Sequence, residues 1–517
     1  MTKIKSAIRN PQSAIVWLLL AILTIFVYLF GLDIPFLGPD EPRYAQAARE
    51  MLERGDWITP TLGGFNWFEK PVLLYWLEMV SYTIFGISEF AARLGPALFG
   101  LGTIASLWVL GRSLATKNTE STENSFANYL ALIAASTLGI MAFARGASFD
   151  IVITFPITAS LVSFYIFYQS ESESAKKQYT ALLLFYFFIG IALLAKGLIG
   201  IIFPFAIVGF FYLLSRRWPS RSFIISLLWG TLLAFAVASV WYLPMYLRHG
   251  NTFINEFFLE HHFQRFTSNK YRHPQPFYFY LWVLPLMTLP WLPFFLASLC
   301  KLGKGIFHHK GTKVTKDGSK KSPPHLHSPT PLLLFSAAWL AVPLIFFSFS
   351  GSKLPGYILP AVPAAVVFVA ILVYELARNR AAWRNAVMLI AALTFGVAIA
   401  LLIFVMPNYA ETDSVKMLIQ AAEEHGYGSR RVLNFQTISH SAEFYAAGRL
   451  LRDEQGKQLA LSSIGELTSA LVNENGHTAL VLTPIEFAPQ LTGDESIHTE
   501  IIQNNGDLVI AAVSAAK

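Results

Sequence analysis

Twelve apolar runs recur along this chain, near 14–32, 71–87, 92–111, 127–145, 150–169, 179–195, 197–214, 223–247, 278–300, 331–349, 355–376 and 385–406. About 20 consecutive apolar residues cross the hydrocarbon core as a helix, which satisfies every backbone polar group within the segment. With 54% hydrophobic and only 14% charged residues, the chain has no polar surface to hide so many runs in a soluble domain. The expectation is a polytopic membrane protein, mainly α.

Charge decides how many runs cross. Lys3, Lys5 and Arg9 precede the first run and no small-residue cleavage site follows it, so the first helix reads as uncleaved, with a cytoplasmic N-terminus. If all twelve runs crossed, Arg216, Arg217, Arg221 and the seven lysines from Lys301 to Lys321 would face outside, against the positive-inside bias. Run 71–87 begins with a proline, is short and carries Glu78, so it reads as a helix lying in, or re-entering from, the outer interface. About eleven spans remain. Every strongly basic loop then becomes cytoplasmic, which also accounts for the net charge of +7 without nucleic acid. The exterior collects 33–91, the turn at 144–150, Lys196, 248–277 and 350–357.

After Pro407 the pattern changes. Short β-like runs ("RRVLNF", "TALVLTP", "DLVIAAV") alternate with helical ones, so residues 1–410 read as the membrane domain and 411–517 as a small α/β domain on the outer side. Such a domain is more often packing than chemistry. Residues 310–329 have the composition of a flexible cytoplasmic linker. The single cysteine, Cys300, excludes an internal disulfide, and no glycine-rich nucleotide loop follows a strand.

Ionisable residues gather at the outer ends of the apolar runs. "PDEPRYAQAAREMLERGDW" puts Asp40, Glu41, Arg43 and Tyr44 at the start of an interfacial helix directly after the first span. For Glu41 helix capping and function weigh equally, whereas Asp40 favours function because further charges share its face of the membrane. Glu69 and Lys70 in "WFEKP" sit in the same charge-poor layer. Asp150 starts an apolar helix, where either capping or catalysis explains a carboxylate. Lys196 in "LLAKGLIG" is an ammonium between two apolar helices, which suits an anion. "FINEFFLEHHFQRFTSNKYRH" brackets Arg265 with aromatics and carries His261 and His262, and "SGSKLPGYILP" offers Lys353 and Tyr357. Several cations converging on one layer point to a phosphorylated lipid. A divalent metal on the adjacent histidines stays open, although their side chains point to different helix faces.

"GPDEPRYAQAAREMLERGDWITPTLGG", "FEKPVLLYWL", "HHFQRF" and "SGSKLPGYILP" resemble the bacterial integral-membrane glycosyltransferases that include the aminoarabinose transferase of lipid A and are related to protein O-mannosyltransferases. The resemblance covers residues 14 to about 406. It implies a GT-C fold of about 11–13 spans with interfacial helices, in the inner membrane, and a polyprenyl-phosphate sugar as donor. It also implies an acceptor presented at the periplasmic face, with lipid A phosphate, another glycolipid or polysaccharide, and a protein hydroxyl all open. The family's first acidic residue falls on Asp40, its second on Asp150, its Glu–Lys pair on Glu69 and Lys70, and its basic residue on Arg265.

The chemistry is consistent with the residues. A sugar on a lipid phosphate leaves behind a stabilised anion, and Lys70, Arg265, Lys196 and Lys353 are the candidates to hold that phosphate. Asp40, with Asp150 and Glu41, is the catalytic candidate, and Arg43, Tyr44, Glu69, His261, His262 and Tyr357 are the substrate-binding ones. A secondary transporter is the competing class, but the chain shows no repeat and its charges lie at one surface.

Overall fold

The computed structural model describes residues 11–114, 120–170, 174–264, 275–308, 331–473 and 478–516. The expected linker at 310–329 and Arg265 lie outside the described residues.

Helix α1 (Pro11–Leu29) leads through a turn into α2 (Asp40–Glu53), and a hairpin of β1 (Thr61–Leu62) and β2 (Phe65–Asn66) follows. Gly63 and Gly64 both sit at positive φ, the backbone of a two-residue turn that only glycine adopts without cost. Glu50 fastens the hairpin to α2 by accepting from Gly63 N (2.6 Å), Gly64 N (3.1 Å) and Thr61 Oγ1 (2.7 Å). The loop after α2 is tied to the bundle as well: Trp241 Nε1 donates to the Ile58 carbonyl (2.8 Å) and Arg248 pairs with Asp56 (2.8 Å).

The next elements are α3 (Leu73–Phe85), α4 (Glu89–Ser113), α5 (Glu120–Ala135), α6 (Leu138–Ala144), α7 (Phe149–Gln169), α8 (Ala175–Lys196), α9 (Ile199–Ser215) and α10 (Arg221–Phe253). A π-type turn runs on from α10 over Ile254–Gln264. Then come α11 (Phe279–Met287), α12 (Leu292–His308), α13 (Pro331–Ser348), a 3-10 turn (Pro355–Ala361), α14 (Val362–Asn379) and α15 (Ala381–Phe404). Among the described residues seven helices are long and apolar enough to cross a membrane, or up to nine if each of two bent pairs is one span. Adding the shorter apolar helices α1 and α9 to the upper figure of nine gives eleven, a total that counts each bent pair as one crossing. Helix α3 has 13 residues and is therefore about 20 Å long, short of the ~30 Å core.

The run at 278–300 departs from expectation. It is not one straight helix: α11 and α12 bend by 119° between Met287 and Leu292. Pro285, Pro290 and Pro293 remove backbone donors along this stretch, so apolar content continues where the helical hydrogen-bond ladder does not. Helix α7 lies at the centre of the bundle, with 83% of its apolar window buried, whereas α15 has 22% buried and turns the rest of its surface outward.

Past α15 come α16 (Met406–Asp413), α17 (Lys416–Ala422), β3 (Val432–Phe435), α18 (Ala442–Tyr445), β4 (Ala460–Leu461), α19 (Ile464–Asn473), β5 (Ala479–Pro484), α20 (Ala488–Thr492), β6 (Ile497–Asn504) and β7 (Leu508–Ala515). The strands form one sheet in the order β4-β3-β5-β7-β6. Strands β4, β3 and β5 are parallel and β6 and β7 antiparallel. Alternation along β5 builds two cores: Leu480 and Leu482 pack with Leu418 and Ile419 of α17, while Ala479 and Val481 pack with Leu467 and Leu471 of α19.

Candidate active site

Asp40 and Glu41 are neighbours on α2, and a helix turns about 100° per residue, so they face different surroundings. Neither side chain caps the helix. Asp40 keeps half of its side chain exposed and accepts from Arg43 Nη2 at 2.5 Å. Burial works against the Arg43 charge, but Asp40 and Glu69 together overcome it and hold the guanidinium above its ordinary value. Glu69 pairs with Lys70 at 2.7 Å, both nearly buried. Tyr44 is buried within the fields of both carboxylates; burial, Asp40 and Glu69 push its phenol up, so it stays neutral. Asp40, Arg43, Tyr44, Glu69 and Lys70 thus form one cluster.

Glu41, the other catalytic candidate on α2, is held differently from Asp40. Its carboxylate turns inward and pairs with the buried Arg93 on α4 through two contacts, 2.9 and 2.7 Å. The same oxygens accept from Leu37 N (3.1 Å) and Ala147 N (2.7 Å). Burial raises its pKa, but Arg93 and the two backbone donors outweigh that and hold it below the usual range. With its oxygens occupied, Glu41 joins the turn before α2 to the turn before α7. Arg93 completes the joint by donating to the carbonyls of Leu32 (3.0 Å), Ile34 and Pro35 (3.2 Å). Arg145 does the same for the end of α1 through Val27, Phe30 (2.5 Å) and Gly31 (3.2 Å).

At the start of α7 the cap is Ser148, whose Oγ accepts from Asp150 N at 3.1 Å, so the Asp150 carboxylate is released from that task. It forms an ion pair with Lys196, the last residue of α8. The ammonium lies 4.8 Å from the ring centre of Tyr357. Gly356 makes this possible, because a Cβ there would collide with the Asp150 carboxylate. Lys196, expected to hold donor phosphate, instead has a carboxylate partner in this arrangement.

An aromatic contact links the two carboxylate clusters. Phe149, adjacent to Asp150, packs edge-on against Tyr44 (4.8 Å) and Tyr75 (5.5 Å). Lys353, the other expected phosphate ligand, is buried and donates to the carbonyls of Ser350 (2.6 Å) and Gln275 (3.1 Å). His261 and His262 fall on the π-type turn, but their side chains, like Arg265, lie outside the described residues. Among the described residues no three His, Cys, Asp or Glu side chains are grouped to hold a metal.

Arg93, Arg145, Phe149, Ser148 and Gly356 went unread in the sequence. Arg93 had a signal, an arginine just inside an apolar run, but its partner lies 52 residues away.

Comparisons with known proteins place these residues in context. The profile of dolichyl-phosphate-mannose-protein mannosyltransferases matches residues 14–255. The undecaprenyl phosphate-alpha-4-amino-4-deoxy-L-arabinose arabinosyl transferase of Yersinia enterocolitica is 30% identical over 437 residues, 83% of this chain and 72% of that protein. Its Yersinia pestis counterpart is 30% identical over 436 residues, 82% and 72% of the two chains. The crystal structure of ArnT from Cupriavidus metallidurans bound to undecaprenyl phosphate superposes with a TM-score of 0.73 at 20% identity, covering 96% of this chain and 97% of that one. The oligosaccharyltransferase of Archaeoglobus fulgidus gives 0.53 at 13% identity, covering 93% and 70%. The expected GT-C fold is therefore the observed one.

Proposed function

Since this chain belongs to the family of undecaprenyl phosphate-aminoarabinose arabinosyl transferases, multi-pass membrane glycosyltransferases that use a polyprenyl-phosphate sugar, we propose that it transfers 4-amino-4-deoxy-L-arabinose or a closely related sugar to lipid A or another lipopolysaccharide acceptor at the periplasmic face of the inner membrane. The observation that carries this reading is the convergence of Asp40–Arg43 and Glu69–Lys70 on one cluster, joined through Tyr44 and Phe149 to Asp150–Lys196.

In the reaction, an acceptor oxygen bonds to the anomeric carbon while the bond from that carbon to the phosphate oxygen breaks. The electron pair leaves with the polyprenyl phosphate. Lys70, with Arg265, stabilises the charge that grows there, the type of term that usually dominates catalysis. Asp40 aligns the acceptor; it takes the proton from a hydroxyl, and a phosphate acceptor is already ionised and needs only alignment. Asp150, paired with Lys196 whose ammonium lies over Tyr357, faces the sugar, where it supports the electron-poor ring or binds its amino group. Glu41 and Arg93 act by positioning. The C-terminal domain lies on the periplasmic side, and the apolar helices house the polyprenyl tail.

The match to the mannosyltransferase profile favours one second reading, a protein hydroxyl as acceptor. The test is transfer by the purified full-length protein in liposomes, from radiolabelled undecaprenyl-phosphate aminoarabinose to lipid A or to a serine- and threonine-rich peptide. Label in lipid A supports the first reading and label in the peptide the second. No transfer to either contradicts both.

A further inference from the structure

The C-terminal domain touches the turn that aims Asp40. Tyr445 of α18 accepts from Phe36 N (3.0 Å) and donates to the buried Glu89 at the start of α4 (2.8 Å). Lys416 of α17 pairs with the same Glu89 at 2.7 Å. Asp413 accepts from Gly38 N (3.3 Å), two residues before Asp40. Arg49, on α2 itself, donates to the Phe444 carbonyl (3.1 Å) and lies 4.9 Å from the centre of the Phe444 ring. Phe36 completes the seam: Phe444 packs edge-on against one part of it (4.8 Å) and the Arg93 guanidinium lies 5.1 Å from its ring centre.

These contacts have a shared target. The 36–38 turn has no regular ladder of its own, and Gly38 sits at positive φ, so its backbone direction depends on what grips it. Glu41 and Arg93 grip it from the membrane side and Tyr445 and Asp413 from the C-terminal domain. A carboxylate that must meet an acceptor atom within about 0.5 Å gains from a support of this kind.

Resting on the assignment of Asp40 to the acceptor, we propose that the C-terminal α/β domain is a working part of the transferase, and that Tyr445, seconded by Asp413, is a positioning residue that sets the turn aiming Asp40. The domain therefore acts in catalysis as well as in packing. Tyr445→Phe keeps the ring in the seam and removes both hydrogen bonds, so it separates alignment from folding.

The test measures initial rates of sugar transfer by the full-length protein in liposomes, with donor and acceptor each varied, alongside its melting temperature in detergent. Tyr445→Phe is expected to lower kcat about tenfold or more, as misplacement of a reacting group by a fraction of an ångström does, with the donor KM unchanged. Asp413→Ala, on an exposed side chain, is expected to lower kcat in the same sense but less, and serves if Tyr445→Phe fails to fold. A wild-type kcat in the folded variants, or a loss of rate matched by loss of folded protein, overturns the proposal. Asp40→Asn is run beside them: full activity there overturns the assignment of Asp40 and this inference with it, whereas an inactive Asp40→Asn beside unaltered Tyr445→Phe and Asp413→Ala overturns the positioning role alone.

Discussion

Phe149 meets Tyr44 edge to face with ring centres 4.8 Å apart, and this contact holds the helix that begins beside Asp150 against the helix that begins with Asp40. Aromatic pairs of this geometry contribute about 0.5–1.5 kcal/mol beyond the area they bury. Its greater effect is geometric, because it fixes the spacing of two carboxylates that lie 110 residues apart in the chain.

Breaking the joint beneath them is costly. Glu41→Gln leaves Arg93 charged, buried and without its counter-ion, which costs about 3–5 kcal/mol by analogy with other buried pairs. Thermal unfolding in detergent is expected to show a large drop in melting temperature. Glu41→Gln combined with Arg93→Met is expected to recover part of it. A Glu41→Gln protein as stable as the wild type contradicts the pairing.

Gly356 is a second sensitive point. Alanine there meets the Asp150 carboxylate and must push it from Lys196, so Gly356→Ala is expected to lower transfer strongly while the protein still folds. Gly209→Ala supplies the comparison: nothing lies within 4 Å of the added Cβ and its φ is ordinary, so its transfer rate is expected to stay at the wild-type level. Wild-type rates in Gly356→Ala contradict the close approach.

Glu78 on α3 is fully buried, and among the described residues neither of its oxygens has a hydrogen-bond partner. Burial, and secondarily Glu41, push its carboxyl well above the usual range, so it is the neutral acid that fits this site. A group whose folded pKa is raised costs stability once the pH exceeds its unfolded value. Glu78→Met is therefore expected to stabilise the protein at neutral pH by about 1–3 kcal/mol, the usual cost of an unsatisfied buried polar group. A higher melting temperature checks this, and a lower one shows that the carboxyl serves a purpose.

His440, on the loop before α18, lies within the fields of Arg43 and Asp40. Burial and Arg43 hold its imidazole below the ordinary 6.5, against Glu443 and Asp40. The unfolded chain then binds the proton more readily than the folded one, so stability falls as the pH drops through 6.5 toward the folded value. His440→Gln is expected to flatten that part of the melting-temperature profile between about pH 7.5 and 5.5. An unchanged slope contradicts the placement.

The fold class was legible because hydropathy and loop charge are both local: the apolar runs marked the spans, and the basic loops singled out 71–87, which became the short α3. Direction was not. Pro285, Pro290 and Pro293 were visible, yet apolar content alone gives no angle, and the 119° bend between α11 and α12 went unread. Asp40, Glu69, Lys70 and Asp150 stood out as ionisable groups in a charge-poor layer; the first three share one cluster, and Asp150 lies in a second one tied to it through Phe149 and Tyr44. Which of two adjacent carboxylates faces the site was unreadable, since Glu41 is decided by Arg93 and Ala147, both remote in the chain. Lys196 and Lys353 looked like open cations because their partners, Asp150 and two loop carbonyls, arrive only with tertiary packing. The grip of Tyr445 on Phe36 spans 409 residues and leaves no local mark.

The most direct test compares Asp40→Asn with the wild type in one liposome assay that reads both donor binding and sugar transfer. The substitution keeps the shape and removes the charge that orients and deprotonates the acceptor. The account predicts donor binding close to that of the wild type and transfer slowed about a hundredfold or more, in the range lost with a general base. Transfer within twofold of the wild type would remove Asp40 from the chemistry and contradict the account.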